Sequence, residues 1–184
     1  MAASAQTRYY TGASPGAASS DITGTTIRYK LADNATQDTL TPIPLPTSGL
    51  SFSWRKSTKV NFSSTPAGSI TNLRWFLTSN PGTGVRFFAR LQATGLYIQA
   101  NSNDANGITG FTDTSPNQTT NDAVNYTSSV PLTVQASTVV ANPNTGEGGA
   151  NQVFVETQLA ISTSYVAGPG VIASFQATYR YSET

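Results

Sequence analysis

Few side chains in this sequence could do chemistry. The chain has 184 residues and contains neither Cys nor His. Thiolate nucleophiles, thiolate or imidazole metal ligands, imidazole general bases and disulfides are therefore excluded. Nine carboxylates remain. Glycoside hydrolysis would need two of them on one cleft, yet Asp104, Asp113, Asp122 and Glu147 fall in Asn-, Thr- and Gly-rich stretches. Glu156 alone stands inside a strand-like pattern, on the face that alternates with the apolar one, where it is expected to be solvated. Asp104, Asp113 and Asp122 match no dense oxygen-ligand loop for calcium. Gly82-Thr83-Gly84 lacks the Lys-Ser/Thr pair of a phosphate loop and opens a strand pattern, not a helix. These residues give no catalytic, cofactor-binding or metal site, and no small-molecule substrate.

The cations are distributed more tellingly. Residues Thr71 to Ala100 hold three of the seven arginines, Arg74, Arg86 and Arg90, and no carboxylate. The basic residues from Arg55 to Arg90, interleaved with Trp54, Trp75, Phe87 and Phe88, could stack on and neutralise a single nucleic-acid strand, but they are few and the net charge is only +1, so no nucleic-acid partner is expected. From Thr39 to Asn103 there are six basic residues and no acid, and from Asp104 to Thr184 six acids and one arginine, giving +6 and −5. Complementary faces of this kind suit head-to-tail contact between subunits or docking on a charged shell. Only 10 % of residues are charged, against roughly 25 % in an ordinary soluble domain. Such a surface suits a molecule packed against copies of itself or a partner.

The elements that must position these residues read as strands. Leu73, Trp75 and Leu77 alternate with Asn72, Arg74 and Phe76; Ser79 to Gly84 breaks the run; then Val85, Phe87, Ala89 and Leu91 alternate with Arg86, Phe88 and Arg90. Period-two alternation between turn residues is the signature of half-buried antiparallel β structure. Similar runs occur at 26–31, 50–54, 132–136, 153–161 and 171–181, with Lys56 to Lys59 read as a turn before Val60 and Phe62, and a short strand at 96–98. Proline at every second position of Pro42 to Pro46 makes that segment an extended strap, with Ile43 and Leu45 buried. Asn101 to Asn125 and Asn142 to Gly149 read as long connections. The expected fold is a single antiparallel β-sandwich of jelly-roll or immunoglobulin-like kind over residues 26–184, preceded by an extended N-terminal arm, residues 1–25, anchored on a partner by Arg8, Tyr9 and Tyr10. Met1 to Gln6 has no signal-peptide pattern and no run is long enough to span a membrane, so synthesis in the cytoplasm without a membrane partner is expected.

Thr71-Asn72-Leu73-Arg74-Trp75, the Gly82-Thr83-Gly84-Val85 turn and the closing run Ser174 to Glu183 together resemble the small structural proteins of tailed bacteriophage virions, over roughly residues 60 to 184. The resemblance implies a non-enzymatic virion component without cofactor: a capsid cement or decoration protein that binds the major capsid protein and copies of itself, most simply as a homotrimer. A tail-associated piece, or a receptor- or carbohydrate-binding module using Trp54, Trp75 or Tyr97, is the alternative. From the alternation, Arg74, Phe76, Arg86, Phe88 and Arg90 are expected on one uncovered outer face, which, with Arg8, Tyr9 and Tyr10, forms the expected interface.

Overall fold

Apolar residues at every second position leave the backbone one efficient option, a ladder with one face turned inward. The computed structural model describes residues 4–13, 17–34, 36, 40–62, 70–79, 82–92, 97, 99, 126–135, 154–165 and 176–183. Among them are nine strands and no helix: β1 (Ala5–Thr11), β2 (Ala18–Asp21), β3 (Leu50–Phe52), β4 (Lys56–Phe62), β5 (Ile70–Ser79), β6 (Val85–Leu91), β7 (Leu132–Gln135), β8 (Val155–Ser162) and β9 (Gln176–Glu183). They form two antiparallel sheets packed as a sandwich. The larger runs β2-β1-β4-β8-β3 with β6 also on β8, and the smaller runs β7-β5-β9.

The larger sheet hangs on β8. Along one edge β6 pairs with it from Val155 to Ile161. The other edge is shared, with β4 opposite residues 155–157 and β3 opposite residues 160–162. Phe52 pairs with Ala160 and Lys56 with Thr157, so one extra residue is absorbed between them, a β-bulge. Ser53 seals it: its amide donates to the Leu159 carbonyl at 2.8 Å, its Oγ accepts from the Leu159 amide at 3.1 Å, and its carbonyl accepts from Gln158 Nε2 at 2.7 Å.

Between the sheets lies a core that includes Val60, Phe62, Ile70, Leu73, Trp75, Leu77, Val85, Phe87, Leu132, Val134, Val155, Leu159 and Ile161. Trp75 and Phe87 face each other from opposite sheets at 6.3 Å, and Tyr29 meets Phe87 edge-on at 5.2 Å. The inward residues read from the alternation at 73–77 and 85–89 are thus in the core.

Several expectations are corrected. β5 and β6 belong to different sheets, so their connection is an arch from one sheet to the other and not a hairpin; alternation reports a buried face, not the pairing partner. Residues 5–11 and 18–21 are strands of the larger sheet and not an arm, because β1 pairs with β4 along Ala5 to Tyr10. Thr26 to Leu31 is no strand; it carries Tyr29 into the core. Lys56 to Lys59 is no turn but the buried first half of β4. Trp54, Phe52 and Leu50 are only half-buried, and the buried residues of this stretch are Ser53 and Arg55 instead. On the proline strap, Ile43 packs against the core while Leu45 is 55 % exposed. The expected loops at 101–125 and 142–149, and most of the expected strands at 96–98 and 171–175, lie outside the described residues.

Gly84 shows how tightly the arch is fitted. Its φ is +79°, and a Cβ there would lie 2.5 Å from the Tyr165 amide nitrogen; its carbonyl accepts from the Ser162 amide at 2.8 Å. Gly84→Ala is expected to destabilise the fold by roughly 2–4 kcal/mol. Gly82→Ala, at φ +91° but with nothing within 4 Å, should cost only about 1–2 kcal/mol. Urea denaturation of the two variants checks the difference.

Candidate assembly interface

The eight residues expected to form one interface are distributed over three environments. Arg8, Tyr9 and Tyr10 anchor β1, but to their own sheet. Arg8 donates from Nε and Nη2 to Ser19 Oγ at 3.2 and 3.1 Å, tying β1 to β2. Tyr9 and Tyr10 are buried. Tyr9 Oη accepts from Lys56 Nζ at 3.2 Å, and Tyr10 packs edge-on against Phe154 at 5.0 Å.

Arg90 is buried, and with it Glu156. The carboxylate, 2 % exposed, accepts from Arg90 Nε at 2.7 Å and from Arg55 Nη1 at 3.3 Å. The expectation of a solvated Glu156 is wrong because the outer face of the larger sheet is itself covered. Phe154, Tyr10 and Tyr97 form a second apolar cluster there, and Lys59 Nζ lies 5.3 Å from the Tyr10 and Phe154 ring centres. A carboxylate in such surroundings is tolerable only when paired and hydrogen-bonded.

Phe88 and Phe76 are covered by their own chain. Phe88, 8 % exposed, packs against Phe52 at 6.0 Å and lies under the Arg86 guanidinium at 4.9 Å. Phe76, 7 % exposed, lies under Arg180 at 5.6 Å. Among the described residues, the face expected to be uncovered at Phe76 and Phe88 is covered. Nor do the aromatics offer a sugar-stacking platform: Trp75 and Tyr97 are buried and Trp54 half-buried.

Arg86 is exposed on β6 of the larger sheet, and two further arginines share the outer face of β7-β5-β9: Arg74, half-buried, and Arg180, exposed. A bulge at Thr71 to Arg74, with Asn72 at φ +54°, lets both Ile70 and Leu73 turn inward and sends Arg74 outward. Arg74 stands directly opposite Arg180 on β9 and Thr133 on β7. It donates from Nη1 to Thr133 Oγ1. Among the described residues neither Arg74 nor Arg180 has an acidic partner. The sequence grouped Arg74 with Arg86 and Arg90, which lie on the other sheet. It missed Arg180, whose link to Arg74 is a pairing between distant strands; the matching Trp75 and Tyr179 beside them were the available sign. Among the described residues no three acidic side chains converge as metal ligands do.

In comparison with known proteins, the chain matches no family model, no curated protein and no solved structure.

Two outcomes follow from the buried charges. Glu156→Gln should cost about 3–5 kcal/mol in urea denaturation, since it removes the carboxylate that two buried arginines share; replacing Arg55, Glu156 and Arg90 together by Met, Leu and Met should cost far less. Lys56, which donates to the Ala32 and Asn34 carbonyls at 2.6 and 2.8 Å, has its pKa lowered by burial to about 8, an effect that Asp33 opposes and Lys30 adds to. Burial, aided by Arg8, lowers Lys59 to about 8 as well. The fold favours the neutral amines, so stability is lowest below pH 8 and rises towards the ordinary lysine value of 10.5. Burial raises the pKa of Tyr9, Tyr29 and Tyr179, so stability falls again above the ordinary tyrosine value of 10.0. Denaturation between pH 8 and 10 should show a gain on the order of 1 kcal/mol, which Lys56→Met/Lys59→Met removes.

Proposed function

We propose that the chain is a non-enzymatic structural protein of a phage virion, a cement or decoration protein that stabilises the head through contacts with the major capsid protein and with copies of itself. The observation that carries this reading is β9. It is an eight-residue strand, Gln176 to Glu183, at the margin of the smaller sheet. It pairs with β5 and with no other strand among the described residues. It contains no proline, and five of its residues are exposed. A long open edge of this kind is a template for pairing with another chain, and a protein that works alone normally blunts it. The low charge content and the Thr-, Ser- and Asn-rich surface support the same reading, as do the sequence motifs at 71–75, 82–85 and 174–183. A place on the tail instead of the head is the second reading that these motifs allow.

Sedimentation of the purified protein should give a closed oligomer, a trimer in the simplest case, and the protein should be retained on expanded phage heads after washing. A species that stays monomeric at high concentration and does not bind heads would sink the proposal; binding to isolated tails alone would transfer it to the tail.

A further inference from the structure

The outer face of the smaller sheet carries a pair of like charges that no acid among the described residues neutralises. Arg74 and Arg180 are direct cross-strand partners on β5 and β9, so their Cβ atoms lie about 4.5–5.5 Å apart on one face, a placement that is destabilising for like charges. The acid on β9, Glu183, is exposed at the strand end and stands opposite Ile70, not opposite either arginine. Both guanidiniums are nevertheless held in place: Arg74 by the Thr133 hydroxyl and Arg180 over the Phe76 ring. Two oriented guanidiniums on paired residues of one face, with no acid opposite them among the described residues, form a site for an anion.

We propose that Arg74 and Arg180 clamp a carboxylate carried by an acidic segment of a partner protein. This deepens the reading as an assembly protein by naming the chemistry of the surface that docks there, and it rests on that reading for the partner being a protein. Carboxylate is favoured over nucleic acid by the surroundings. The face around the pair is flat and neutral, with Asn72, Thr78, Thr133, Thr178 and Ser182. Its one aromatic, Phe76, is buried under Arg180, so it offers no ring on which a base can stack. Two charges also neutralise too little of a phosphate backbone to hold it at physiological salt. A carboxylate between the two guanidiniums converts a repulsive pair into an attractive triad.

The test uses the full chain and three probes at low salt: an end-capped hexaglutamate peptide, hexathymidylate and inorganic phosphate. Calorimetry should detect peptide binding that weakens at least tenfold in Arg74→Gln and in Arg180→Gln and is unchanged in Arg86→Gln, on the other sheet. Both clamp variants should keep a cooperative thermal transition. Loss of binding without loss of that transition supports the clamp. Absence of peptide binding to the unaltered protein, equal affinity in Arg74→Gln/Arg180→Gln, or tighter and Arg74-dependent binding of hexathymidylate or phosphate would each overturn it. Peptide binding is read on the protein in solution, so the clamp fails or stands independently of whether the chain proves to trimerise or bind heads.

Discussion

The larger sheet depends on a strand that has no solvent face. β8 is buried from Val155 to Ile161 on both sides, and β3, β4 and β6 all take their hydrogen bonds from it. A strand so placed can hold a carboxylate only if the counter-charge is built into its neighbours. Arg90 supplies one half from β6, and Arg55 the other half from the bulge between β3 and β4. The bulge is thus more than an irregularity. Its extra residue is what brings Arg55 to the same side as Glu156, while the Ser53 hydroxyl and carbonyl keep the ladder satisfied across the gap.

The sequence made one face of most strands legible, and left the other face dark. Leu73, Trp75 and Leu77, and Val85, Phe87 and Ala89, were readable as inward because the backbone repeats every two residues. Glu156, Phe88 and Phe76 were misplaced because alternation says which side chains share a face, without saying whether that face meets water. Pairing was equally hidden. The short arch between β5 and β6 looks in sequence like a hairpin turn, and nothing periodic links β5 to β9. Small residues before Tyr9 and Tyr10 read as an arm, yet the two rings have a place in the sheet that only the tertiary fold reveals.

Arginine serves opposite purposes on the two sheets. Arg55 and Arg90 are bound into the larger sheet by a carboxylate, where exchanging the charge is costly. Arg74 and Arg180 lie on the smaller sheet, where a hydroxyl and a ring orient them without neutralising them. Burial separates the two uses, so counting basic residues along the chain could not: the run from Arg55 to Arg90, acid-free in sequence, is partly neutralised in space by an acid more than sixty residues away.

The separation of β5 and β6 into different sheets has a consequence for how the molecule is made. Since β5 and β6 do not pair with each other, the partners of both lie far downstream: β8 for one, β9 for the other. β1, β2 and β4 can pair with one another as they emerge, but β5 and β6 leave the ribosome with their ladders still to be completed. Non-local pairing of this kind is slow, because the loop must be closed before any contact repays it. The nascent chain therefore holds exposed strands, Trp75 and Phe87 among their side chains, until residues 155–183 have been synthesised.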